Sequence, residues 1–327
     1  MNRLKTLTLA VATAALVVTS LSAQARDFRL GLITPPEHLW SQQAEAFAAD
    51  LHERSEGTHS VTVYPAQELG NEAQMVRELR LGELDMAFLT VAEVSNWIFD
   101  FGAFYAPYLV DDIDHAARLL RSETAAELLE LMPVGADLVG LGYGMAGMRQ
   151  VLSRQPIESV DDLQGLRVRI TPFEANYDFY TAMGADPEPM PLPEVYGALA
   201  AEQVDAIDMD FDSILTLGFH ELADNLLISN HMMFPMVGVV SRQVWRDLDE
   251  ADRELIRTTM AEHLDKVVTG FQQMHADQEA EIRELGVNIT EADAAFFGEA
   301  IEQWERTWSR QVPKIEVLRE EAERLRE

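Results

Sequence analysis

The chain contains no cysteine among its 327 residues, which excludes disulfides, thiol nucleophiles and cysteine-ligated metals. Basic residues are scarce: 25 Lys and Arg stand against 56 Asp and Glu, for a formal net charge of −31. A surface this acidic repels nucleic acids and anionic membranes. We therefore expect neither as a partner, and we interpret most of the negative charge as a solvated surface.

Common catalytic and metal-binding motifs are also missing. The sequence has no G-x-S-x-G, P-loop or G-x-G-x-x-G pattern. His220 begins "HEL", but Asp224 stands where a zinc motif needs its second histidine. "DMDFD" (208–212) starts like a calcium loop, yet the turn glycine and the closing glutamate are absent. We predict no metal, no cofactor and no enzymatic activity.

No internal apolar run approaches the roughly 20 residues of a membrane span. The amino terminus is different, because Arg3 and Lys5 precede an apolar run (7–21) that is followed by Ala23-Gln24-Ala25. This pattern is typical of a secretory signal peptide cleaved near Ala25; a membrane anchor is the alternative. Cleavage would remove two cations and no acids, which takes the formal charge from −31 to −33.

The remaining sequence alternates between strand and helix patterns. Apolar and β-branched stretches at 28–37, 60–65 and 83–90 predict strands, and amphipathic stretches at 38–57 and 70–82 predict helices. Asn71 is a candidate helix cap, and Gly82 a candidate helix stop. Strands joined through helices pair in parallel, so the sequence predicts an α/β fold.

The same pattern then returns. "ITPPE" (33–37) is echoed by "ITPFE" (170–174), and "MVRELRLGELDMA" (75–87) by "VYGALAAEQVDAI" (195–207). Any two β-α-β units look alike, but two echoes in the same order favour two similar lobes. The glycine-rich strand 138–147 is a candidate hinge. From about residue 247 the chain is helical, with one stretch long enough to bridge the lobes.

Two arginines stand out in "DDLQGLRVRITPFE" (161–174). Arg167 and Arg169 alternate with apolar residues, so in a strand both point to one face. Ligands of open α/β sheets lie beyond the carboxyl ends of the strands, and a guanidinium there can bind a carboxylate through two hydrogen bonds. The alternative is a surface ion pair with Asp161 or Asp162. The spacing does not decide which arginine is functional.

Two longer stretches, 147–172 and 183–208, resemble the substrate-binding proteins of tripartite ATP-independent periplasmic (TRAP) transporters, of the C4-dicarboxylate-binding type. The first stretch carries "GMRQ", "QPIESVDDLQGLRVR" and "ITP", and the second carries "MGADPEPMPLPEVYGALAAEQVDAID". The segments "VTVYPAQELGNEAQMVRELRLGELDMAF", "FYAPYLVDDIDHA", "ISNHMM" and "VSRQVWRDLDEADRELI" also match in order and spacing. The resemblance therefore spans most of the chain after the signal peptide.

The resemblance implies a type II-like periplasmic binding fold: two lobes, each a mixed sheet flanked by helices, joined by hinge strands and a long helix. Lobe I would comprise 26–147 and about 237–277, and lobe II 148–236 and about 278–327. The implied function is to capture a small organic acid in the periplasm by cleft closure, with a C4-dicarboxylate as one candidate. The acid would then pass to a permease of one small and one large subunit. We expect a monomer rather than a dimer.

The resemblance also implies roles for individual residues. Arg169 matches the arginine that binds the ligand carboxylate, and Arg149 matches a second, assisting arginine. Arg167 falls on a position that is usually lysine and is interpreted as structural. Asp208 keeps an acidic position, but Met209 stands where an asparagine commonly reaches the ligand. A thioether cannot donate that hydrogen bond, so a shorter, more apolar or partly cationic acid is as credible as a dicarboxylate.

Further candidates face the predicted cleft. Glu37, Trp40 and Glu72 lie at helix starts, although glutamate also favours helix amino termini for the helix dipole alone. Phe173 follows Arg169 and could cover the ligand. The aromatic-rich segment 96–108 is more typical of core than of a pocket. Rival functions are a ligand-sensing protein, an ABC-type binding protein and, with least support, a periplasmic enzyme.

Overall fold

The computed structural model describes residues 25–326. The strands are β1 (Arg26–Gly31), β2 (His59–Tyr64), β3 (Met86–Thr90), β4 (Leu138–Met148), β5 (Gln150–Ser153), β6 (Arg167–Ile170), β7 (Asp186–Pro189), β8 (Ala206–Met209), β9 (Asn225–Ile228), β10 (Met233–Ser241) and β11 (Asn288–Glu291). The helices are α1 (Leu39–Arg54), α2 (Glu72–Leu81), α3 (Val91–Ser95), α4 (Ile113–Leu120), α5 (Glu123–Leu129), α6 (Met132–Gly135), α7 (Glu174–Ala182), α8 (Leu192–Ala200), α9 (Phe211–Thr216), α10 (Arg242–Asp247), α11 (Glu250–Glu284), α12 (Ala294–Phe297), α13 (Glu299–Gln311) and α14 (Lys314–Arg324).

The strands form two mixed sheets. In the first sheet the order is β2-β1-β3-β10-β4; β1 runs parallel to β2 and β3, and β10 runs antiparallel to β3 and β4. In the second the order is β11-β9-β5-β8-β6-β7, with β6 parallel to β7 and β8. We call the first sheet with its helices lobe I, and the second with its helices lobe II. The predicted two-lobed α/β fold is confirmed.

Helix α2 illustrates why these residues form these elements. The Asn71 side chain accepts from the Gln74 backbone N–H, and the Gln74 side chain accepts from the Asn71 N–H, which completes a capping box. At the other end Gly82 takes the left-handed conformation (φ 73°), which glycine adopts at least cost. Met75 and Leu79 are buried against the sheet. The predicted cap and stop are therefore both present, and they hold Glu72 at the first turn.

The lobes are linked at several places. The chain crosses from β4 to β5 at Arg149, and from β9 to β10 through residues 229–232. Helix α11 packs against α1 and β4 of lobe I and against α9 of lobe II, so it bridges the lobes. Gly147 lies just before the first crossover with φ +93°, a conformation that other residues rarely adopt.

One assignment of the carboxyl-terminal region differs from the sequence prediction. Helix α13 packs against α7 of lobe II, but α14 packs against α4, α5 and the 3-10 segment Phe99–Tyr105 of lobe I. The reason is an apolar face, with Ile315, Leu318 and Ala322 buried there. The segment 278–327 therefore does not lie wholly on lobe II. The other lobe boundaries stay a prediction.

The predicted signal peptide, residues 1–25, lies outside the described residues except for Ala25, and it stays a prediction. Within residues 25–326, no helix combines the length and the apolar character needed to cross a membrane.

Candidate functional site

A cavity of about 180 Å³ lies between the two lobes. It opens at the carboxyl ends of two parallel strands in each sheet, and the lining residues there are Thr34 after β1, Thr90 at the end of β3, Thr171 after β6 and Asp210 after β8. Ligands of open α/β sheets bind at this end of the strands. The strand-end rule therefore correctly indicates where the cavity lies.

Arg169 lines the cavity from lobe II and is only 2% exposed. Its Nε and Nη2 atoms donate to the Met190 carbonyl at 3.0 and 2.7 Å, and Nη1 lies 3.4 Å from the Asp208 carbonyl oxygen. These acceptors are neutral, and within residues 25–326 no carboxylate forms an ion pair with this guanidinium. Burial and then the nearby Arg149 charge lower the pKa of Arg169 to about 9. Among the described residues, Arg169 is thus a buried cation that no carboxylate contacts directly, with Asp208 and Asp210 acting on it only at longer range.

Arg167 lies two residues before Arg169 on the same face of β6, but its guanidinium has a carboxylate partner. Its Nε and Nη2 atoms donate to the Asp205 carboxylate at 2.9 and 2.6 Å, in a pair that is partly exposed. Asp161 and Asp162, the partners considered from the sequence, form hydrogen bonds with other residues nearby. Asp161 accepts from Gln164, and Asp162 accepts from Ser159. The surface ion pair considered for this strand is therefore made by Arg167, with Asp205.

Arg149 lies at the crossover from β4 to β5 and is also buried, but its charge is compensated. Its Nη1 atom lies 3.1 Å from Asp210 Oδ2, its Nε donates to Asp208 Oδ1, and its Nη2 donates to the Asp208 carbonyl. The guanidinium carbon lies 4.3 Å from the centre of the Phe234 ring. Two carboxylates thus already satisfy this arginine.

Asp208 is the centre of a buried polar network. Besides Arg149, its carboxylate accepts from the Tyr180 hydroxyl at 2.8 Å and lies 3.0 Å from His231 Nε2. Burial alone would raise the pKa of Asp208, but Arg149 and His231 outweigh it and hold the pKa well below the usual range. The carboxylate stays ionised, and its role is to hold Arg149 in place.

The candidate residues from the sequence therefore divide into two groups. Those that line the cavity are Arg169, Arg149, Met209, Trp40 and Glu72. Asp208, Phe173 and Glu37 do not line it: the Phe173 ring packs at a tilt against Tyr105, with ring centres 4.3 Å apart, and Glu37 is exposed to solvent.

Several lining residues were missed. Thr90, Glu93 and Asp210 stand at the ends of strands or at the starts of helices that follow them, so the strand-end rule could have found them. Phe234 has no such signal, because it lies within β10 and reaches the cavity only through the packing of the two lobes.

His38 and Asp212 form a second polar contact between the lobes. His38 Nδ1 accepts from the Trp40 N–H, so the proton of the neutral ring is on Nε2, which lies 3.1 Å from Asp212 Oδ2. Burial lowers the pKa of His38 to about 4. Burial and then the Asp210 charge raise the pKa of Asp212 to about 7. Near neutral pH the contact therefore involves a neutral imidazole rather than an ion pair.

We expect Asp212→Asn to stabilise the protein at pH 8 relative to the unchanged chain, by roughly 1–4 kcal/mol. The folded-state pKa of Asp212 is raised, so its stabilising contribution is present below the unfolded value near 3.8 and is lost as the pH rises through about 7. The amide removes that titration. The measurement is the difference in free energy of unfolding between the two proteins from pH 5 to 8. The titration of His38 affects both proteins and largely cancels from this difference. A difference in free energy of unfolding that does not grow with pH would contradict the raised pKa of Asp212.

A match to a protein-family model shows the family of this chain. The model for bacterial extracellular solute-binding protein, family 7 (the DctP family), matches residues 30–311. The chain belongs to this family. The TRAP substrate-binding resemblance seen in the sequence is thereby confirmed.

Individual proteins are similar to this chain over most of their length. The chain is 28% identical over 282 residues to a sialic acid-binding periplasmic protein of Vibrio cholerae, covering 85% of this chain and 87% of that protein. It is 27% identical to a 2,3-diketo-L-gulonate-binding periplasmic protein of Escherichia coli, covering 91% and 92%. A solved TRAP periplasmic solute-binding protein from Bradyrhizobium, in complex with galacturonate, superposes with a TM-score of 0.85 at 26% identity, covering 91% and 100%.

Proposed function

We propose that this family 7 protein captures a small organic acid in the periplasm by binding its carboxylate at Arg169. The observation that carries the proposal is the state of Arg169: a guanidinium 2% exposed, at the wall of a cavity between two lobes, with no carboxylate partner among the described residues. A buried charge without a counter-ion is costly, and a bound carboxylate removes that cost.

Arg149 plays a supporting part in this account. Its hydrogen bonds to Asp208 and Asp210 leave it little capacity for a ligand, but its charge still adds to the positive potential near Arg169. The pair of arginines therefore favours one carboxylate, bound mainly by Arg169. Met209 lines the same wall and contributes an apolar contact rather than a hydrogen bond.

The ligands of the related proteins agree with an acid as the substrate. The compared proteins bind sialic acid, 2,3-diketo-L-gulonate and galacturonate, each of which carries a carboxylate. Solved structures of the same fold hold galactonate and D-glucuronate. An acid of this general size is therefore the first class to test.

Closure of the lobes would complete the site. Asn96 of lobe I donates to the Pro172 carbonyl of lobe II at 3.0 Å, next to the cavity-lining Glu93 and Thr171. The crossover at Arg149 and the bridging helix α11 allow the lobes to open for ligand entry. Expulsion of water on closing strengthens the ion pair, because charges interact more strongly at lower effective dielectric. The closed form would deliver the acid to a membrane permease of a small and a large subunit.

The test is a thermal-shift panel on the purified protein, refolded to remove any carried-over ligand. The panel contains sugar acids, short mono- and dicarboxylates, zwitterions and neutral sugars as controls. A ligand at 100 times its dissociation constant adds about 2.7 kcal/mol, which is easily seen as a higher midpoint. We expect at least one acid to raise the midpoint and its neutral analogue to leave it unchanged. If no acid does so, the proposed function is wrong.

A further inference from the structure

The wall of the cavity that faces Arg169 belongs to lobe I and is acidic. Glu72, at the first turn of α2, reaches the end of β3. There one carboxyl oxygen accepts from the Thr90 N–H at 2.5 Å and the other from the Thr90 hydroxyl at 2.9 Å. Thr90 in turn caps α3 by accepting from the Glu93 N–H at 3.0 Å. The position of Glu72 is thus determined by two helix starts and a strand end, and Glu72 lines the cavity.

Glu93 lines the same wall. Its carboxyl oxygens accept from Trp97 Nε1 at 3.0 Å and from Asn96 Nδ2 at 3.4 Å, both neutral donors. Burial and then the Glu93 charge raise the pKa of Glu72 to about 8, and burial also raises the pKa of Glu93. Within residues 25–326, neither carboxyl forms an ion pair with an arginine, lysine or histidine. Near neutral pH Glu72 is therefore mostly protonated, and the pair carries about one negative charge, on Glu93. Among the described residues, no ion pair compensates this charge on one wall or the Arg169 charge on the other.

The charges around the cavity disfavour a ligand that carries a second carboxylate. Of the two lining arginines, Arg149 is already neutralised by Asp208 and Asp210, which leaves Arg169 as the one guanidinium free to pair. A ligand bound there would direct its other end toward Glu72 and Glu93. A second carboxylate would meet the negative charge of Glu93, whereas hydroxyl or ammonium groups would find carboxyl oxygens with unused lone pairs.

We propose that Glu72 and Glu93 determine specificity, so that the cavity accepts monocarboxylic acids with hydroxyl or ammonium donors at the far end and rejects dicarboxylates. This inference rests on the proposed function, because it takes the carboxylate to bind at Arg169. Glu72 and Glu93 form one wall of the cavity, and the other wall holds Arg169, a buried cation that contacts no carboxylate among the described residues. This second observation points to a ligand with a carboxylate at one end and hydrogen-bond donors at the other.

The experiment compares matched acids by titration calorimetry on the refolded protein. Galactonate and galactarate differ only in that a terminal hydroxymethyl group becomes a carboxylate. 4-Aminobutyrate and succinate differ in that an ammonium group becomes a carboxylate. We expect the monocarboxylic acid of at least one pair to bind, and its dicarboxylate partner to bind at least about 30-fold more weakly, as like-charge contacts require. The pair that responds identifies hydroxyl or ammonium recognition.

Variants then assign the selectivity to these two residues. Glu93→Gln removes the ionised carboxylate of this wall, and Glu72→Gln is an independent variant that keeps an acceptor for Thr90 and removes the second carboxyl group. We expect Glu93→Gln to narrow the gap in affinity between the paired acids by about 5-fold or more, and Glu72→Gln to narrow it by a smaller factor. Glu68→Gln, on the loop before α2 and outside the cavity lining, is the matched control and should leave the gap unchanged.

Two results would overturn the inference. A dicarboxylate that binds as tightly as its monocarboxylic partner, or a gap that survives both glutamine variants, would remove the role given to Glu72 and Glu93 while leaving carboxylate binding at Arg169 intact. If no acid of either kind binds, the proposed function fails and this inference fails with it.

Discussion

We expect Arg169→Gln to weaken binding of the carboxylate ligand by at least about 100-fold, which eliminates the ligand-induced thermal shift at ordinary concentrations. Truncating one partner of a buried, hydrogen-bonded charge pair costs about 2–5 kcal/mol, and 100-fold corresponds to about 2.7 kcal/mol. Glutamine can still donate a hydrogen bond, so the change isolates the charge. The measurement is titration calorimetry with the acid identified by the thermal-shift panel.

The unliganded Arg169→Gln variant should be as stable as the unchanged protein, or more stable. The folded-state pKa of Arg169 is lowered to about 9, so at any pH below that value the folded protein bears the cost of a charged, buried guanidinium. Arg167→Gln is the matched control, because Arg167 lies on the same strand and is paired with Asp205 near the surface. Loss of binding in Arg167→Gln and its retention in Arg169→Gln would reverse the assignment made here.

The second large effect concerns stability. We expect Asp208→Asn to reduce the free energy of unfolding by about 3 kcal/mol, because it removes one of the two carboxylates that compensate a buried arginine. The substitution also changes the acceptor of the Tyr180 hydroxyl and the partner of His231. The measurement is chemical denaturation at pH 7 in the absence of ligand.

The pH of that measurement matters. The folded-state pKa of Asp208 is lowered, so its stabilising contribution is present above the unfolded value near 3.8 and is lost as the pH falls through the folded value. At pH 7 the contribution is therefore fully present. Asp205→Asn is the control: its pair with Arg167 is partly exposed, and such pairs contribute about 0–1 kcal/mol. Equal losses in the two variants would contradict a special role for the buried network.

Much of the fold could be predicted from local signals. The helix cap at Asn71, the helix stop at Gly82 and the alternation of strands with helices all depend on residues close together in the chain, and the structure contains them as expected. The assignment of α14 could not be predicted in this way. It depends on which lobe offers an apolar surface to Ile315 and Leu318, and that is decided by contacts far away in sequence.

The site, like the fold, could be predicted from the sequence only in part. Strand alternation places Arg167 and Arg169 on one face but does not distinguish them, because the difference lies along the strand: Arg167 begins β6 beside Asp205, and Arg169 lies nearer its carboxyl end. The partners of Arg149 depend on the antiparallel register of β5 and β8, in which Val151 stands opposite Asp208. No spacing within the sequence specifies that register, so the neutralisation of Arg149 becomes visible only in the fold.

The most direct test of the central claim is a crystal structure of the protein with the acid that gives the largest thermal shift. The account predicts the ligand carboxylate within hydrogen-bonding distance of the Arg169 guanidinium, about 2.7–2.9 Å, with Arg149 still bound to Asp208 and Asp210. A carboxylate bound elsewhere in the cavity, with Arg169 still donating only to the Met190 and Asp208 carbonyls, would contradict it.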